Sequence, residues 1–183
     1  MAQALAQEKH YTINDIYALP EGTRGELIDG RIYYMAPPNR RHQDILSFLH
    51  LAIGNYIAQN NGDCKVYPAP FAVFLFADDS KYVEPDISVI CDRTKLDEHG
   101  CNGAPDWIIE IVSPGSKAMD YYTKLSLYRE AGVREYWIVD PAKQTILVYD
   151  MEQDAAPGMY SFADTVQANI YDDLEIDFKK LVL

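Results

Sequence analysis

The clearest pattern in the chain is a helical stripe of apolar residues between Asn39 and Asn60. Apolar side chains recur there at steps of three and four, which is the spacing of one face of an α-helix. The positions are Ile45, Phe48, Leu49, Ala52, Ile53, Tyr56 and Ile57. Asn and Gly follow at 60–62, and both tolerate the left-handed conformation that closes a helix. The pattern predicts one long amphipathic helix.

Two hairpins are predicted on either side of this helix. In "GELIDGRIYYM", Asp29 and Gly30 supply the positive φ angles that a tight hairpin needs. After the helix, "CKVYPAPFAVFLF" and "KYVEPDISVICD" have the composition of strands and are separated by the polar turn "ADDS". A short helix capped by Thr12 and stopped by Pro20 is predicted before the first hairpin.

The second half of the chain combines strands with one helix. "DWIIEIV" at 106–112 is a nearly continuous apolar run, which is typical of a strand covered on both faces. A helix is predicted from Lys117 to Ala131, ended by Gly132. "REYWIVD" and "QTILVYD" then predict two strands joined by the turn "PAKQ", and the tail from Pro157 predicts short strands or an edge hairpin. This order predicts one mixed α/β (α+β) domain over residues 1–183, with residues 1–10 flexible.

The composition suits a compact domain, since 48% of the 183 residues are apolar. No apolar run reaches the roughly 20 residues of a membrane span, and the first residues lack the features of a signal peptide, so a cytoplasmic protein is expected. Cys64, Cys91 and Cys101 are odd in number and form no CxxC pair. We therefore expect scattered thiols rather than a disulfide framework or a zinc ribbon.

The net charge of -12 opposes the binding of a polyanion, because phosphate contacts need a positive surface. The charge is unevenly distributed along the chain. Much of the acid lies at 171–178, while four arginines cluster near the other end, at Arg24, Arg31, Arg40 and Arg41. This asymmetry weakens the objection to a nucleic-acid substrate without removing it.

Two acidic residues, Asp86 and Glu110, lie inside apolar strand segments, where an unpaired carboxylate would cost several kcal/mol. The loop between the two strands is long enough to bring both carboxylates side by side. Neighbouring carboxylates repel each other unless a cation or a proton lies between them, and hard oxygen ligands suit Mg²⁺ or Mn²⁺. The sequence therefore predicts a divalent-metal site.

Lys124 lies on a helical stripe that also contains Asp120, Tyr121 and Tyr128. A lysine directed toward two acids could stabilise a developing charge or help to deprotonate a metal-bound water. The helix alone favours a different interpretation, in which Asp120 and Lys124 form a surface ion pair one turn apart. Tyr128, Tyr136 and Trp137 are expected to lie in the core rather than to stack on nucleic-acid bases.

Four blocks of the sequence resemble the Uma-two family of the PD-(D/E)XK restriction-endonuclease-like superfamily. They are "ELIDGRIYYM", "VEPDISVICDR", "GCNGAPDWIIEIVSPGS" and "DYYTKLSLYREAGVREYWIVDP", and the similarity extends over about Glu26 to Tyr149. The resemblance implies a central mixed β-sheet flanked by helices, and the residue pattern adds N-terminal and C-terminal hairpins to it. It also implies a Mg²⁺-dependent phosphodiester hydrolase.

The resemblance assigns the superfamily's "PD" to Pro85 and Asp86 and its second acid to Glu110. The superfamily's lysine stands two residues after that acid, where this chain has Val112. The family is expected to recruit a lysine from the next helix instead. In this chain that residue is Lys124, with Lys117 as the substitute.

The implied mechanism uses Asp86, Glu110 and the backbone carbonyl of Ile111 to hold Mg²⁺ (or Mn²⁺), while Lys124 orients or deprotonates the attacking water. Glu26 and Glu84 are candidates for further metal or water contacts, although a solvated strand position fits Glu26 equally well. His42 and Gln43, near the start of the long helix, are candidates for a phosphate contact, with capping or solvent exposure as the alternative.

The leading hypothesis is a Mg²⁺-dependent endonuclease acting on DNA, and a homodimer is expected by analogy with nucleases that cut both strands. The alternatives are a non-catalytic nucleic-acid or protein binding module of the same fold, and a metal-dependent hydrolase of a small phosphoester. The binding module is motivated by the acidic net charge and by Val112 at the lysine position. The small phosphoester is motivated by the acidity alone.

Overall fold

The computed structural model describes residues 9–78, 80–153 and 155–183. Residues 1–10 are predicted to be flexible, and all of them except Lys9 and His10 lie outside the described part of the chain. The helices are α1 (Ile13–Tyr17), α2 (Arg40–Gln59) and α3 (Lys124–Ala131), with a π-helical turn at Met119–Thr123 and 3₁₀ turns at Arg93–Lys95 and Phe178–Lys180. The strands are β1 (Arg24–Ile28), β2 (Arg31–Met35), β3 (Lys65–Pro68), β4 (Val73–Phe74), β5 (Tyr82–Val83), β6 (Ile87–Ile90), β7 (Cys101–Asn102), β8 (Trp107–Ile111), β9 (Glu135–Asp140), β10 (Thr145–Asp150), β11 (Gly158–Ser161), β12 (Thr165–Gln167) and β13 (Glu175–Asp177).

The centre of the described structure is a mixed sheet in the order β11-β10-β9-β8-β6-β3. Strands β8 and β9 run parallel, and the other neighbouring pairs in this sheet are antiparallel. A parallel pair needs a long crossover connection, and the helical segment that ends with α3 supplies it. The predicted central mixed sheet is confirmed.

The two faces of this sheet are covered differently, because alternate residues of a strand point to opposite sides. Trp107, Ile109 and Ile111 of β8 pack in one cluster with α2, whose buried residues include Ile45 and Leu49. On the other face, Ile108 packs in a second cluster with residues of α3. Glu110 shares this second face by the same alternation, so its carboxylate is directed toward α3.

A smaller sheet lies on the α3 side, in the order β2-β1-β5-β4-β7. Its β1–β2 hairpin turns at Asp29 and Gly30, whose φ angles are 51° and 71°, as the sequence predicts. Ile28 of β1 belongs to the same apolar cluster as Ile108. Glu26 lies two residues earlier on β1 and therefore faces the same space between the two sheets.

The second predicted hairpin is confirmed, but its parts belong to different sheets. Strand β3 pairs with β6 in the central sheet, while β4 pairs with β5 in the smaller one. The tail supplies the edge strand β11 and the β12–β13 hairpin, also as expected. The aromatic residues Tyr128, Tyr136 and Trp137 are fully buried, which confirms their predicted place in the core.

The expectation of scattered thiols is wrong for two of the three cysteines. Cys64 and Cys91 form a disulfide, and Cys101 is buried and free. The physical reason is strand register: Lys65 stands opposite Ile90 across the β3–β6 pair, so the adjoining residues Cys64 and Cys91 also face each other. The spacing of the cysteines alone does not reveal this pairing, because it depends on the register of the two strands.

Within the described residues, no helix combines the length and the apolar character needed to cross a membrane.

Candidate functional site

Strand register brings Asp86 and Glu110 together. Ile87 of β6 stands opposite Ile109 of β8, so Asp86, one residue before β6, lies beside Glu110. The Ile111 N–H donates to Asp86 Oδ2 at 2.7 Å, and the Asp86 N–H approaches Glu110 Oε2 at 3.4 Å. The two in-strand acids are therefore neighbours, as the sequence predicts.

Glu110 is 4% exposed and has two close donors. Lys124 Nζ lies 2.8 Å from its Oε1, and the Tyr128 hydroxyl donates to the same oxygen at 2.6 Å. The lysine and the tyrosine are one helical turn apart on α3, so both reach the sheet from the same helix face. Tyr128 had been expected only to fill the core. Its place one turn after Lys124 on the stripe is the signal that could have revealed its hydroxyl contact.

Lys124 follows directly on the π-helical turn and is 5% exposed. Its ammonium group donates to Glu26 Oε1 at 2.9 Å as well as to Glu110. The alternative of a surface pair with Asp120 is wrong, because both side chains are buried and the lysine's hydrogen bonds go to the sheets. Short π-helical segments are frequent at functional sites. Lys117, the substitute candidate, is exposed at the start of the helical segment.

The two additional acids have different surroundings. Glu26 is 4% exposed, which excludes a solvated position, and its Oε1 also accepts from the Glu84 N–H at 3.0 Å. The Glu84 carboxylate is bound by Arg24 at 2.8 Å and by the Tyr82 hydroxyl at 2.6 Å. Glu26 therefore belongs to the cluster around Lys124, whereas the Glu84 side chain is engaged by Arg24 and Tyr82.

His42 and Gln43 lie in the first turn of α2, and the helix begins at Arg40 after the cap Asn39. The His42 ring is buried, with Nε2 at 3.1 Å from Asp86 Oδ2, so the alternative of solvent exposure is wrong for this residue. Gln43 is exposed. The structure thus brings His42 to Asp86 and leaves Gln43 at the surface.

Asp120 is a buried acid beside the site, whereas the sequence assigned it only to a surface ion pair. It is 2% exposed, and the Ser116 hydroxyl donates to its Oδ2 at 2.5 Å. Ser116 also accepts from the Ser113 N–H at 3.0 Å. Asp120 therefore anchors the loop that follows β8.

Burial and mutual repulsion control the electrostatics of the cluster. The pKa of Glu110 is raised to about 8: burial is the largest cause, Lys124 opposes the increase, and Asp86, Asp120 and Glu26 add to it. Burial also raises the pKa of Asp120, to about 6. Burial alone would lower the pKa of Lys124, but Glu110, Glu26 and Asp120 raise it well above its usual value. Lys124 is therefore protonated at neutral pH, whereas a pKa of about 8 leaves Glu110 mostly protonated there until a cation replaces its proton. The acids outnumber the cations in this cluster.

The site offers oxygen donors, the type of ligand that hard divalent cations prefer. Asp86 and Glu110 offer carboxylate oxygens from adjacent strands, and an excess of negative charge favours a cation between them. Among the described residues, no group of three or more His, Cys, Asp or Glu side chains is arranged to hold a metal ion. Two carboxylates and a backbone carbonyl, with water completing the shell, are the pattern that Mg²⁺ tolerates.

The mixed sheet, with two acids on neighbouring strands and a lysine facing them, defines a restriction-endonuclease-like nuclease fold. A family model described as Uma2, putative restriction endonuclease, matches residues 13–178, and the chain belongs to this family. Its fold is similar to the crystal structure of a putative nuclease of DUF820 from Anabaena variabilis, with a TM-score of 0.75 and 25% identity, covering 93% of this chain and 96% of that one. An uncharacterised protein of Synechocystis sp. is 26% identical over 130 residues, which is 70% of this chain and 67% of the relative.

Proposed function

We propose that this chain is a divalent-metal-dependent endonuclease that hydrolyses phosphodiester bonds of DNA at the site formed by Asp86, Glu110 and Lys124. The observation that carries the proposal is the arrangement of a single buried lysine between two sheets. Its ammonium group is bound to Glu26 and Glu110, next to a third acid, Asp86. A site of this composition has excess negative charge that a divalent cation would compensate.

Asp86 and Glu110, with the Ile111 carbonyl, would hold the cation. A bound Mg²⁺ or Mn²⁺ supplies a Lewis acid for a phosphate oxygen and lowers the pKa of coordinated water. Lys124 is protonated, since its pKa lies well above the usual value. Its role is therefore to orient the attacking water and to offset the negative charge that develops at phosphorus, rather than to remove the proton.

DNA is proposed as the substrate because the family model is described as a putative restriction endonuclease. The net charge of -12 requires local positive charge beside the site. The first turn of α2 supplies some of it, because Arg41 is exposed there and His42 of the same turn contacts Asp86. Arg40 is exposed in this turn as well, but it is paired with Asp44 at 2.5 Å. Cleavage of both strands needs two sites, so a homodimer is part of the proposal.

The test combines calorimetric titration of Mg²⁺ and Mn²⁺ with cleavage of supercoiled plasmid. The variants are Asp86→Asn and Glu110→Gln, which keep side-chain shape and remove charge. Glu135→Gln is the matched control. Glu135 is a buried acid at the start of β9, the strand beside β8, and lies away from Glu110. Its carboxylate accepts from the N–H groups of Asn169 and Ile170. We expect both site variants to weaken metal binding by about 100-fold or more and to abolish cleavage. The control should bind metal as the wild type does.

The products and the salt dependence refine the outcome. Nicked circles alone would indicate one active site at a time, while linear DNA would support paired sites. DNA affinity should fall steeply with salt, because a polyanion releases counterions when it binds. Metal binding without cleavage of any nucleic acid would favour hydrolysis of a small phosphoester. A wild type that binds no metal would exclude the proposed mechanism and leave the binding module.

A further inference from the structure

The two oxygens of Asp86 have different surroundings. Oδ2 accepts from the Ile111 N–H at 2.7 Å and lies 3.1 Å from His42 Nε2. Oδ1 has no hydrogen-bond partner within the part of the chain that the structure describes. One oxygen is thus bound to the protein from two directions, and the other has no such contact among the described residues.

The His42 ring makes one polar contact, to Asp86. Its Nδ1 is buried and has no hydrogen-bond partner among the described residues. Because a carboxylate oxygen only accepts, Nε2 must hold the proton and donate it to Asp86. Burying an unpartnered ring nitrogen costs free energy that an apolar side chain would avoid. The contact to Asp86 is therefore the one polar interaction that offsets this cost.

Helix α2 holds the ring in place. The Asn39 side chain accepts from the His42 N–H at 3.0 Å and fixes the first turn. Ile45 and Leu49 follow at steps of three and four along the same helix face and are fully buried against the central sheet. His42 therefore donates from a rigid element rather than from a mobile loop.

We propose that His42 is a positioning residue: together with the Ile111 N–H, it holds Asp86 by Oδ2 and leaves Oδ1 free to bind a divalent cation. The inference rests on the proposed function. It replaces the expected phosphate contact of the His42 ring, whose two nitrogens are either bound to Asp86 or buried. Donors that orient a metal-binding side chain typically contribute 10- to 100-fold to metal affinity.

The test is calorimetric titration of Mn²⁺ into the full chain carrying His42→Leu, His42→Gln or His42→Asn. Glutamine places an amide N–H where Nε2 lies, whereas the shorter asparagine places it near Nδ1 and cannot reach Asp86. We expect Mn²⁺ affinity to fall about tenfold or more in His42→Leu and His42→Asn and to stay within about threefold of wild type in His42→Gln. His50→Leu is the control, because His50 is a half-buried histidine two turns further along α2. It should leave the affinity unchanged.

The outcomes separate the inference from the proposed function. If the wild type binds Mn²⁺ and His42→Leu binds it equally well, the positioning role is overturned and the nuclease proposal stands. A wild type that binds no Mn²⁺ overturns both. Where His42→Leu fails to fold, the amide variants decide: equal affinities in His42→Gln and His42→Asn overturn the inference, and a selective loss in His42→Asn supports it.

Discussion

Lys124 Nζ lies 2.8 Å from Glu110 Oε1, although the lysine belongs to a helix and the acid to the middle of the central sheet. In the superfamily pattern that this chain resembles, the lysine stands two residues after the acid, on the same strand. Here that position is Val112, which is buried in the apolar cluster under α3. Helix α3 thus brings a lysine to the same acid from above the sheet.

Replacing each lysine in turn should show whether Lys124 or Lys117 is the catalytic lysine. We expect Lys124→Met to lower the plasmid-cleavage rate by about 100-fold or more, because charge at the reacting phosphate would no longer be offset. It should also destabilise the fold by about 3–5 kcal/mol, since Glu26 and Glu110 would lose their buried partner. Lys117→Met, at an exposed position, should change both quantities little. Equal losses in the two variants would assign the role to neither lysine alone.

The Tyr128 hydroxyl should help to orient Glu110. Tyr128→Phe removes the 2.6 Å hydrogen bond to Oε1 and keeps the ring. We expect metal affinity to fall about tenfold, as for other groups that orient metal ligands, with a stability loss of about 1–2 kcal/mol.

Tyr136→Phe is a matched control for this prediction, because its hydroxyl donates to the Asp120 backbone carbonyl at 3.0 Å and the ring is equally buried. It should cost similar stability without affecting metal affinity. Calorimetry together with urea unfolding measures both quantities. Identical metal affinities in the two variants would exclude an orienting role for Tyr128.

The pKa of Asp120 predicts a pH-dependent stability. The folded-state pKa is about 6, above the ordinary value of 3.8, so the folded chain holds this proton more firmly than the unfolded chain does. The resulting stabilisation is complete below the unfolded pKa and is lost as pH rises through 6. Asp120→Asn does not titrate and can still accept from Ser116.

The free energy of unfolding of wild type relative to Asp120→Asn should therefore fall by on the order of 1 kcal/mol between pH 5 and pH 7.5. Urea unfolding of both proteins in a chelator, which removes bound cations, provides the measurement. Parallel pH curves for the two proteins would show that Asp120 ionises in the fold as it does in the unfolded chain.

The Cys64–Cys91 disulfide should stabilise the fold by restricting the unfolded chain. It closes a separation of 27 residues, for which the expected contribution is about 2–4 kcal/mol. Urea unfolding with and without a reducing agent measures this difference. Thiol titration of the denatured, unreduced chain should find one free group, from Cys101. Three free thiols before reduction would contradict the pairing.

Much of the fold could be predicted from local patterns. The face of α2, the Asp29-Gly30 turn and the buried strand around Glu110 all appear where the sequence predicts them. The pairing of Asp86 with Glu110 was also predicted, because both acids interrupt apolar strands. The disulfide, the burial of Asp120 and the hydroxyl contact of Tyr128 were not predicted, since each depends on which distant segments lie side by side.

Periodicity and turn chemistry are properties of neighbouring residues, so the amino-acid order alone was enough to predict the main helices and strands and the two acids, Asp86 and Glu110, inside apolar strand segments. Tertiary structure decided which oxygen of Asp86 is bound. It also decided that Glu26 and Lys124 lie beside Glu110. These contacts join residues up to 98 positions apart, through strand register and the height of a helix above a sheet. Such distances depend on the packing of the whole core, and no short stretch of sequence specifies them.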